Sequence, residues 1–177
     1  TTWTEQATPL VHNHEPGDRA GFAVAVYGDT AIVGARYEAS SSNTINAAGL
    51  DNNAPDSGAA YVFVRQGNTW TQQAYLKASD NTAGLFFGGA VALFGDTAVV
   101  ASAEPRHDGK SRRVANGGTG AVYVFVRNGT TWTQQARLTA GNAGVDDQFG
   151  FSLGLFENTL VVGAPGEDGN ATSINGD

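Results

Sequence analysis

The chain has 177 residues, of which 41% are hydrophobic and 10% aromatic, enough apolar material for the core of one substantial domain. Its 17 acidic and 10 basic side chains give a formal net charge of −7. This balance argues against nonspecific nucleic-acid binding, which depends on Lys and Arg. No apolar run approaches the roughly 20 residues that a membrane-spanning helix requires, so we expect no membrane insertion. Cysteine is absent, which excludes disulfides and cysteine-bound metals.

An internal repeat of about 65 residues organises the sequence. A segment that reads Trp-Thr-Glu-Gln-Ala or Trp-Thr-Gln-Gln-Ala occurs at spacings of 67 and 62 residues, and begins at Trp3, Trp70 and Trp132. The longer segments 61–76 and 123–138 are nearly identical. The chain therefore contains about 2.7 copies of one unit.

Each unit predicts four short strands, A to D. In the first complete unit they span residues 21–27, 30–35, 59–65 and 69–76. Strands A and B are continuous apolar runs, as expected for strands buried on both faces, whereas strand D alternates and is expected to be partly exposed. Gly-Asp and Gly-Asn pairs between A and B and between C and D predict tight hairpin turns.

Repeated four-stranded antiparallel sheets of this kind are typical of β-propeller blades, and we predict an all-β fold. A β-sandwich is the alternative, although it does not require near-identical repeats. In chain order, residues 1–177 form a single partial propeller: the outer strand of a preceding blade at 1–10, blades at 20–76 and 87–138, and the first half of a blade at 149–177. A closed ring needs at least about four blades. We therefore expect an incomplete ring, completed by the remainder of a larger propeller or by further copies of the chain.

Short motifs in each unit resemble those of the FG-GAP repeat family, whose blades form the heads of integrin alpha chains and occur in many bacterial secreted proteins. The third unit carries both halves of the name, at Phe149-Gly150 and Gly163-Ala164-Pro165. The second unit keeps Phe87-Gly88 but has Ala101-Ser102-Ala103 in the second place. The first unit has Ala20-Gly21 and Gly34-Ala35-Arg36. The resemblance covers essentially the whole chain, is closer to the bacterial repeats, and implies an extracellular or cell-surface location.

Integrin-like repeats often hold calcium in a loop between the FG and GAP strands, where Asp and Asn alternate. In this chain the same join is only Gly-Asp-Thr or Glu-Asn-Thr. That is too short to supply the roughly six to eight oxygen ligands that calcium takes. The usual calcium site of the family is therefore not expected here.

Strand direction alternates within a blade, so the A–B and C–D turns lie at one end and the B–C and D–A connections at the other. Every long loop is of the second kind: 36–57, 104–118 and from 166 for B–C, and 11–19, 77–86 and 139–148 for D–A. We therefore predict that this end binds a ligand, because rigid scaffolds present binding residues on loops. The alternative is that the loops are tolerated insertions.

One of these loops concentrates positive charge in an otherwise acidic chain. Its candidate ligand-binding residues are Arg106, His107, Lys110, Arg112 and Arg113. They suit an acidic glycan, a carboxylate or a neighbouring subunit. A solvated loop that balances local charge explains them equally well.

Oxygen-bearing side chains in other loops make Ca²⁺ a candidate cofactor. The candidate metal ligands are Asp51, Asn53, Asp56, Asp146, Asp147, Glu167 and Asp168. Residues of these types more often stabilise turns through hydrogen bonds to the backbone. His12 and His14 are also close enough in sequence to chelate a metal, but no third ligand is evident.

The sequence contains no Gly-x-Ser-x-Gly elbow, no His-Glu-x-x-His helix, no phosphate-binding loop and no cysteine nucleophile, and we predict no enzymatic activity. Asn128 and Asn170 begin N-glycosylation sequons. We predict a noncatalytic extracellular binding or adhesion module that presents its loop-rich face to a carbohydrate or a protein. The alternative is a structural subunit that assembles edge to edge into a ring or filament. An enzyme with a propeller-borne site has no supporting motif.

Overall fold

The computed structural model describes residues 2–103 and 118–169. This part of the chain is all-β and forms ten strands in three antiparallel sheets. The strands are β1 Ala23–Tyr27, β2 Thr30–Ala35, β3 Ala59–Gln66, β4 Thr69–Leu76, β5 Phe87–Phe94, β6 Thr97–Ser102, β7 Ala121–Asn128, β8 Thr131–Leu138, β9 Ser152–Phe156 and β10 Thr159–Gly163. Within these residues no helix is long and apolar enough to cross a membrane.

The three sheets correspond to the predicted blades. The first has the strand order β1-β2-β3-β4 and the second β5-β6-β7-β8, while β9 and β10 pair only with each other. Strands β2 and β4 have the predicted bounds, and β3 is one residue longer than predicted. The described residues form no closed ring. The prediction of an all-β arc of propeller blades is therefore confirmed.

Neighbouring blades pack face to face through apolar side chains. Ile32 and Val62 of the first blade belong to one buried cluster with Val100 and Phe125 of the second. On the opposite face of the second blade, Val99 lies in a cluster that includes the leucines of β9 and β10. The second blade is therefore covered on both faces, whereas among the described residues the first and third blades each have a neighbouring blade on one face.

The inner strands are not all buried, which corrects the prediction made for strands A and B. Strands β5 and β6 are buried or half-buried throughout, but Val24 and Val26 on β1 are 67% and 68% exposed and Phe156 on β9 is 64% exposed. The most buried strand of the first blade is β3, not β1. The physical reason is that an inner strand loses solvent on both faces only when a blade lies on each side of it.

Backbone hydrogen bonds join each blade to the next at the Phe-Gly motif. The amide of Phe87 donates to the carbonyl of Ser57 at 3.0 Å, and the amide of Phe149 makes the equivalent hydrogen bond to the next blade boundary. Gly58 has a φ of +83° and forms a bridge with Phe87. A Cβ at Gly58 would overlap the Phe87 backbone, and a Cβ at Gly120 would overlap Phe149 in the same way. Glycine is therefore required before strand C by its backbone conformation and by this close approach.

Residues 2–10 form no strand, which differs from the outer strand predicted at 1–10. An outer strand pairs with strand C of its own blade, as β4 pairs with β3. Among the described residues no strand C lies beside residues 2–10. This segment nevertheless contacts the first blade in the way that β4 contacts the second. Trp70 Nε1 donates to Gln6 Oε1 at 3.2 Å, and Trp132 Nε1 donates to the equivalent Gln73 Oε1 at 2.9 Å.

The residues that follow this segment also make the contacts that the residues after β4 make. The hydroxyl of Tyr61 donates to Asn13 Oδ1 at 2.7 Å, and the hydroxyl of Tyr123 donates to Asp80 Oδ1 at 2.8 Å. Both acceptors follow a strand-D sequence by the same number of residues. The N-terminal segment thus contacts the first blade as β4 contacts the second, without the hydrogen-bond ladder of a strand.

We expect Gly58→Ala to lower the free energy of unfolding by about 2–4 kcal/mol, because the variant combines an unfavourable φ with overlap at the blade boundary. Urea denaturation measures this difference. Gly67→Ala is the matched control, since Gly67 also has a positive φ of +60° but has no atom within 4 Å of the position that a Cβ would take. The control should cost about 1 kcal/mol. Equal losses in the two variants would contradict the role assigned to the boundary contact.

Candidate functional site

The two ends of the blades differ, as the loop lengths predict. At the end with short turns, Arg65 pairs with Asp29 at 2.5 Å and Arg127 pairs with Asp96 at 2.7 Å, so the A–B and C–D turns of each blade lie side by side. We call the opposite end the loop face. In the described chain it is formed by residues 11–22, 36–57, 77–86, 139–151 and 164–169.

A cleft of about 330 Å³ lies on the loop face between the first D–A loop and the first B–C loop. We call it the loop cleft. One wall is residues 15–19 and the other contains Tyr37, Ala39, Asn52 and Asp56. Asn52 Nδ2 donates to Glu15 Oε2 at 2.6 Å and so bridges the two walls. The cleft is a polar cavity made by two loops that are distant in sequence.

A buried ion pair fixes the B–C wall of the loop cleft. Lys77, which follows β4, places its Nζ 2.8 Å from Glu38 Oε2, and the two side chains are 0% and 3% exposed. The same Nζ lies 2.9 Å from Ser57 Oγ, 3.0 Å from the carbonyl of Ser40 and 2.7 Å from the carbonyl of Gly58. A buried ammonium group without acceptors is strongly unfavourable. The loop is therefore held where its carbonyl groups can surround Lys77.

The second carboxylate oxygen of Glu38 accepts three further hydrogen bonds. The donors are the hydroxyl of Tyr75 at 2.9 Å, the amide of Ser40 at 3.1 Å and Asn13 Nδ2 at 3.2 Å. Asn13 belongs to the D–A loop, Ser40 to the B–C loop and Tyr75 to β4. One carboxylate thus ties both walls of the loop cleft to the sheet beneath them.

Burial shifts the pKa values of the groups around Glu38. Burial lowers the pKa of Lys77, and the charge of Glu38 opposes that shift. Burial, followed by the charge of Glu38, raises the pKa values of Tyr61 and Tyr75, so both phenols stay protonated and act as donors. The network therefore consists of fixed donors and acceptors, which rigidifies the site before any ligand binds.

Asp18 is the most buried acidic side chain of the loop cleft, at 8% exposure. Its Oδ2 accepts the amide of Glu15 at 2.8 Å. Burial raises the pKa of Asp18, the Glu15 backbone hydrogen bond opposes this, and the charge of Glu38 adds to it. A ligand that donates a hydrogen bond to Asp18 would stabilise its ionised form.

Two arginines contact Tyr37, and one of them, Arg19, lines the loop cleft together with Tyr37. The guanidinium carbons of Arg19 and Arg36 each lie 4.7 Å from the Tyr37 ring centroid, and that of Arg36 lies 4.0 Å above the ring of Phe22. Arg36 Nη2 donates to the Tyr37 hydroxyl at 2.5 Å, while its Nε and Nη1 have no hydrogen-bond partner among the described residues. Arg36 occupies the proline position of the GAP motif, so this cation–π cluster belongs to the first unit.

Asp51, one of the predicted metal ligands, stabilises a turn. Its Oδ1 accepts the amides of Ser41 at 2.9 Å and Asn53 at 3.1 Å, and its Oδ2 accepts the hydroxyl of Ser40 at 3.1 Å. These hydrogen bonds, first that from Ser41, lower the pKa of Asp51. This is the turn-stabilising role that was the alternative to calcium. Asp56 lies apart from this turn and lines the loop cleft.

The other four predicted metal ligands, Asp146, Asp147, Glu167 and Asp168, lie in the loops of the third repeat. Asp147 is buried and accepts the amide of Gly144, and Glu167 Oε2 accepts Asn142 Nδ2 at 2.9 Å. Across the described ranges, no three or more His, Cys, Asp or Glu side chains converge in an arrangement that could hold a metal. Calcium binding stays a prediction, with several of its candidate ligands engaged in protein hydrogen bonds.

The two candidate histidines contact protein groups. His12 Nε2 lies 3.0 Å from the carbonyl of Ala48 and its Nδ1 lies 2.8 Å from Gln72 Nε2, whereas His14 Nδ1 lies 3.2 Å from the carbonyl of Val11. His12 thus fastens the D–A loop to β4. The sequon residue Asn128 is the exposed last residue of β7. The other predicted residues, Arg106, His107, Lys110, Arg112, Arg113 and Asn170, lie outside the described residues.

Sequence reasoning missed Lys77 and Glu38, although a signal was available. The two units are nearly identical through strand D, yet Lys77 corresponds to Thr139 and Glu38 corresponds to Pro105. The position of Lys77 is charged in one copy only, whereas Glu38 recurs as Glu167 in the third copy. The unmatched lysine was therefore the available signal of a charge contact. Here that contact orders the longest described loop.

Four-stranded antiparallel blades joined at Phe-Gly contacts, with tight turns at one end and polar loops at the other, define a β-propeller-like repeat module. A family model described as FG-GAP repeat matches residues 3–63, 70–125 and 132–176. The chain therefore belongs to the FG-GAP repeat family, which confirms the resemblance seen in its motifs. FG-GAP repeats generally serve as binding or structural modules. A comparison with curated proteins gives no match.

We expect Lys77→Met to lower the free energy of unfolding by about 3–5 kcal/mol, because Glu38 is left as a buried, unpaired charge. The double variant Lys77→Met with Glu38→Gln should be more stable than the single variant, since it removes that charge. Urea denaturation measures both.

Arg65→Met is the control for this experiment, because it breaks the exposed ion pair with Asp29. We expect it to cost about 1 kcal/mol or less. The account of the buried pair is contradicted if Lys77→Met costs no more than Arg65→Met.

Proposed function

We propose that this chain is a noncatalytic binding module that holds a neutral carbohydrate in the loop cleft. The observation that carries the proposal is the cleft itself, about 330 Å³ in volume and bridged by the hydrogen bond between Asn52 and Glu15. Its volume falls within the roughly 300–1,000 Å³ of small-ligand sites. A single sugar unit, free or at the end of a chain, suits a cleft of this size.

The chemistry of the lining supports a ligand rich in hydroxyl groups. The carboxylates of Glu15, Asp18 and Asp56 accept hydrogen bonds from hydroxyls, and Asn52 can donate as well as accept. Hydrogen bonds to ionised groups are stronger than those between neutral groups. The same carboxylates, in a chain of net charge −7, disfavour an acidic glycan.

The rigidity of the walls supports binding rather than mere tolerance of long loops. Lys77 and Glu38 order the B–C loop, and Glu38 also contacts Asn13 of the D–A loop. A loop that is already ordered loses little conformational entropy when a ligand binds. An insertion without a role has no physical need for a buried charge to hold it.

The family supports a noncatalytic role outside the cell. FG-GAP repeats are generally binding or structural modules and are typical of extracellular proteins. We propose that the module acts in a secreted or cell-surface protein. In this proposal the blades supply the rigid support and the loop face supplies the recognition.

A printed array of neutral and acidic glycans, probed with the fluorescently labelled chain, tests the proposal. We expect binding to neutral glycans, followed by calorimetry with the best-bound one. Substituting both residues, as Asn52→Ala and Asp56→Asn, should weaken that affinity about thirtyfold, because each substitution removes or weakens a hydrogen bond worth about 1 kcal/mol. Asn is chosen at position 56 because Asp56 has a φ of +59°, which Asn tolerates.

Asn158→Ala is the matched control, since Asn158 is exposed in the short turn between β9 and β10 at the opposite end. It should leave the affinity unchanged, and circular dichroism should show that all variants fold. The proposal fails if no neutral glycan binds, or if the cleft and control variants bind equally well. Binding to an immobilised protein but to no glycan would also overturn it.

A further inference from the structure

The two outermost blades expose apolar side chains on their inner strands. On the first blade Val24 and Val26 are 67% and 68% exposed, and we call this surface the first-blade face. On the third blade Phe156 and Val161 are 64% and 66% exposed, and we call this surface the third-blade face. Contiguous apolar patches are uncommon on folded monomers and mark interaction sites.

Within the chain, surfaces equivalent to the first-blade face are covered. The residues of the second blade that correspond to Val24 and Val26 are Val91 and Leu93. Both pack in the buried cluster formed with the first blade. The corresponding leucines of β9 pack against the second blade. A surface of this kind therefore accepts the blade that precedes it.

The third-blade face corresponds to the surfaces of the first and second blades that pack on the blade that follows each of them. Val161 is equivalent to Ile32 of the first blade and Val99 of the second. Those two side chains are fully buried, and each packs toward the following blade. The third-blade face therefore matches the first-blade face, because equivalent surfaces of neighbouring blades already pack together within the chain.

A row of aromatic rings shows how the stack would continue. Tyr27, Phe94 and Phe156 occupy the same position in the three repeats, and the ring centroids are 4.6 Å apart for the first pair and 5.1 Å for the second. Tyr27 and Phe156 are the exposed ends of this row. The first pair is tilted and the second is edge-to-face, so a ring placed on either end would extend a row of aromatic contacts that the chain already contains.

The two faces also match in extent. The outer half of the first blade is contacted by the N-terminal segment, through Gln6 on Trp70 and Asn13 on Tyr61. Among the described residues, nothing packs on the outward side of the inner strands of that blade. The described part of the third blade is the hairpin of β9 and β10. The hairpin therefore fits the open area without displacing the N-terminal segment.

We propose that the first-blade face binds the β9–β10 hairpin of a second copy of this chain, head to tail. Val161 of one copy packs between Val24 and Val26 of the next, and Phe156 stacks on Tyr27. Such a contact joins two different surfaces, so it adds further copies until a ring closes or a filament grows. This assembly does not depend on the proposed function.

Light scattering of the purified 177-residue chain over a range of concentrations tests the proposal. We expect the wild-type mass to rise in steps of one chain as the concentration rises. Val24→Asp and Val161→Asp should each give monomers, because each removes one of the two faces. An equimolar mixture of the two variants retains one complete interface and should give a dimer and nothing larger.

Val145→Asp is the control, since Val145 is 75% exposed on a loop, away from both faces, and it should assemble like the wild type. Circular dichroism checks folding, and Val26→Asp replaces Val24→Asp if the latter does not fold. The proposal is overturned if the wild type is monomeric at every concentration, or if the mixture of variants stays monomeric. Assembly that survives both single substitutions would overturn it as well.

Discussion

Each four-stranded blade has two apolar faces, and a neighbouring blade on each side is what buries them. The second blade has both neighbours and contains the fully buried rings of Phe87 and Tyr123. Within residues 2–103 and 118–169 the first and third blades have one neighbour each, and they expose Val24 and Phe156 where a second neighbour would lie. The order of burial, the requirement for glycine at the blade boundary and the open faces all follow from this constraint.

The same stacking fixes where binding residues can lie. The blades are held together through their faces, so recognition is left to their two ends. At one end Arg65 and Arg127 pair with the aspartates of tight turns, which leaves little room for a ligand. At the other end a buried ion pair between Lys77 and Glu38 orders one long loop over the sheet. A polar cleft is the result of rigid strands below and charge-anchored loops above.

The repeat made the strands and turns predictable, because both depend on local patterns that occur in each copy. The sequence could not show which inner strands are buried, since Val24 and Val91 have similar sequence neighbours and differ only in what packs on them. The repeat comparison marks Lys77 as unusual but does not identify Glu38 as its partner, because the two residues are 39 positions apart and meet only when a loop folds back. Residues 2–10 look like an outer strand in sequence but have no strand to pair with in the described chain.

Amide hydrogen exchange, followed by mass spectrometry at low protein concentration, tests the central constraint most directly. Strands β1 and β5 hold the same inner position and pair with β2 and β6 in the same way, and they differ in whether a blade covers each face. The account predicts that β5 and β6 exchange most slowly, β1 and β2 faster, and β9 and β10 fastest. Equal protection of β1 and β5 would contradict it, because burial by two neighbours would then add nothing to the stability of a blade.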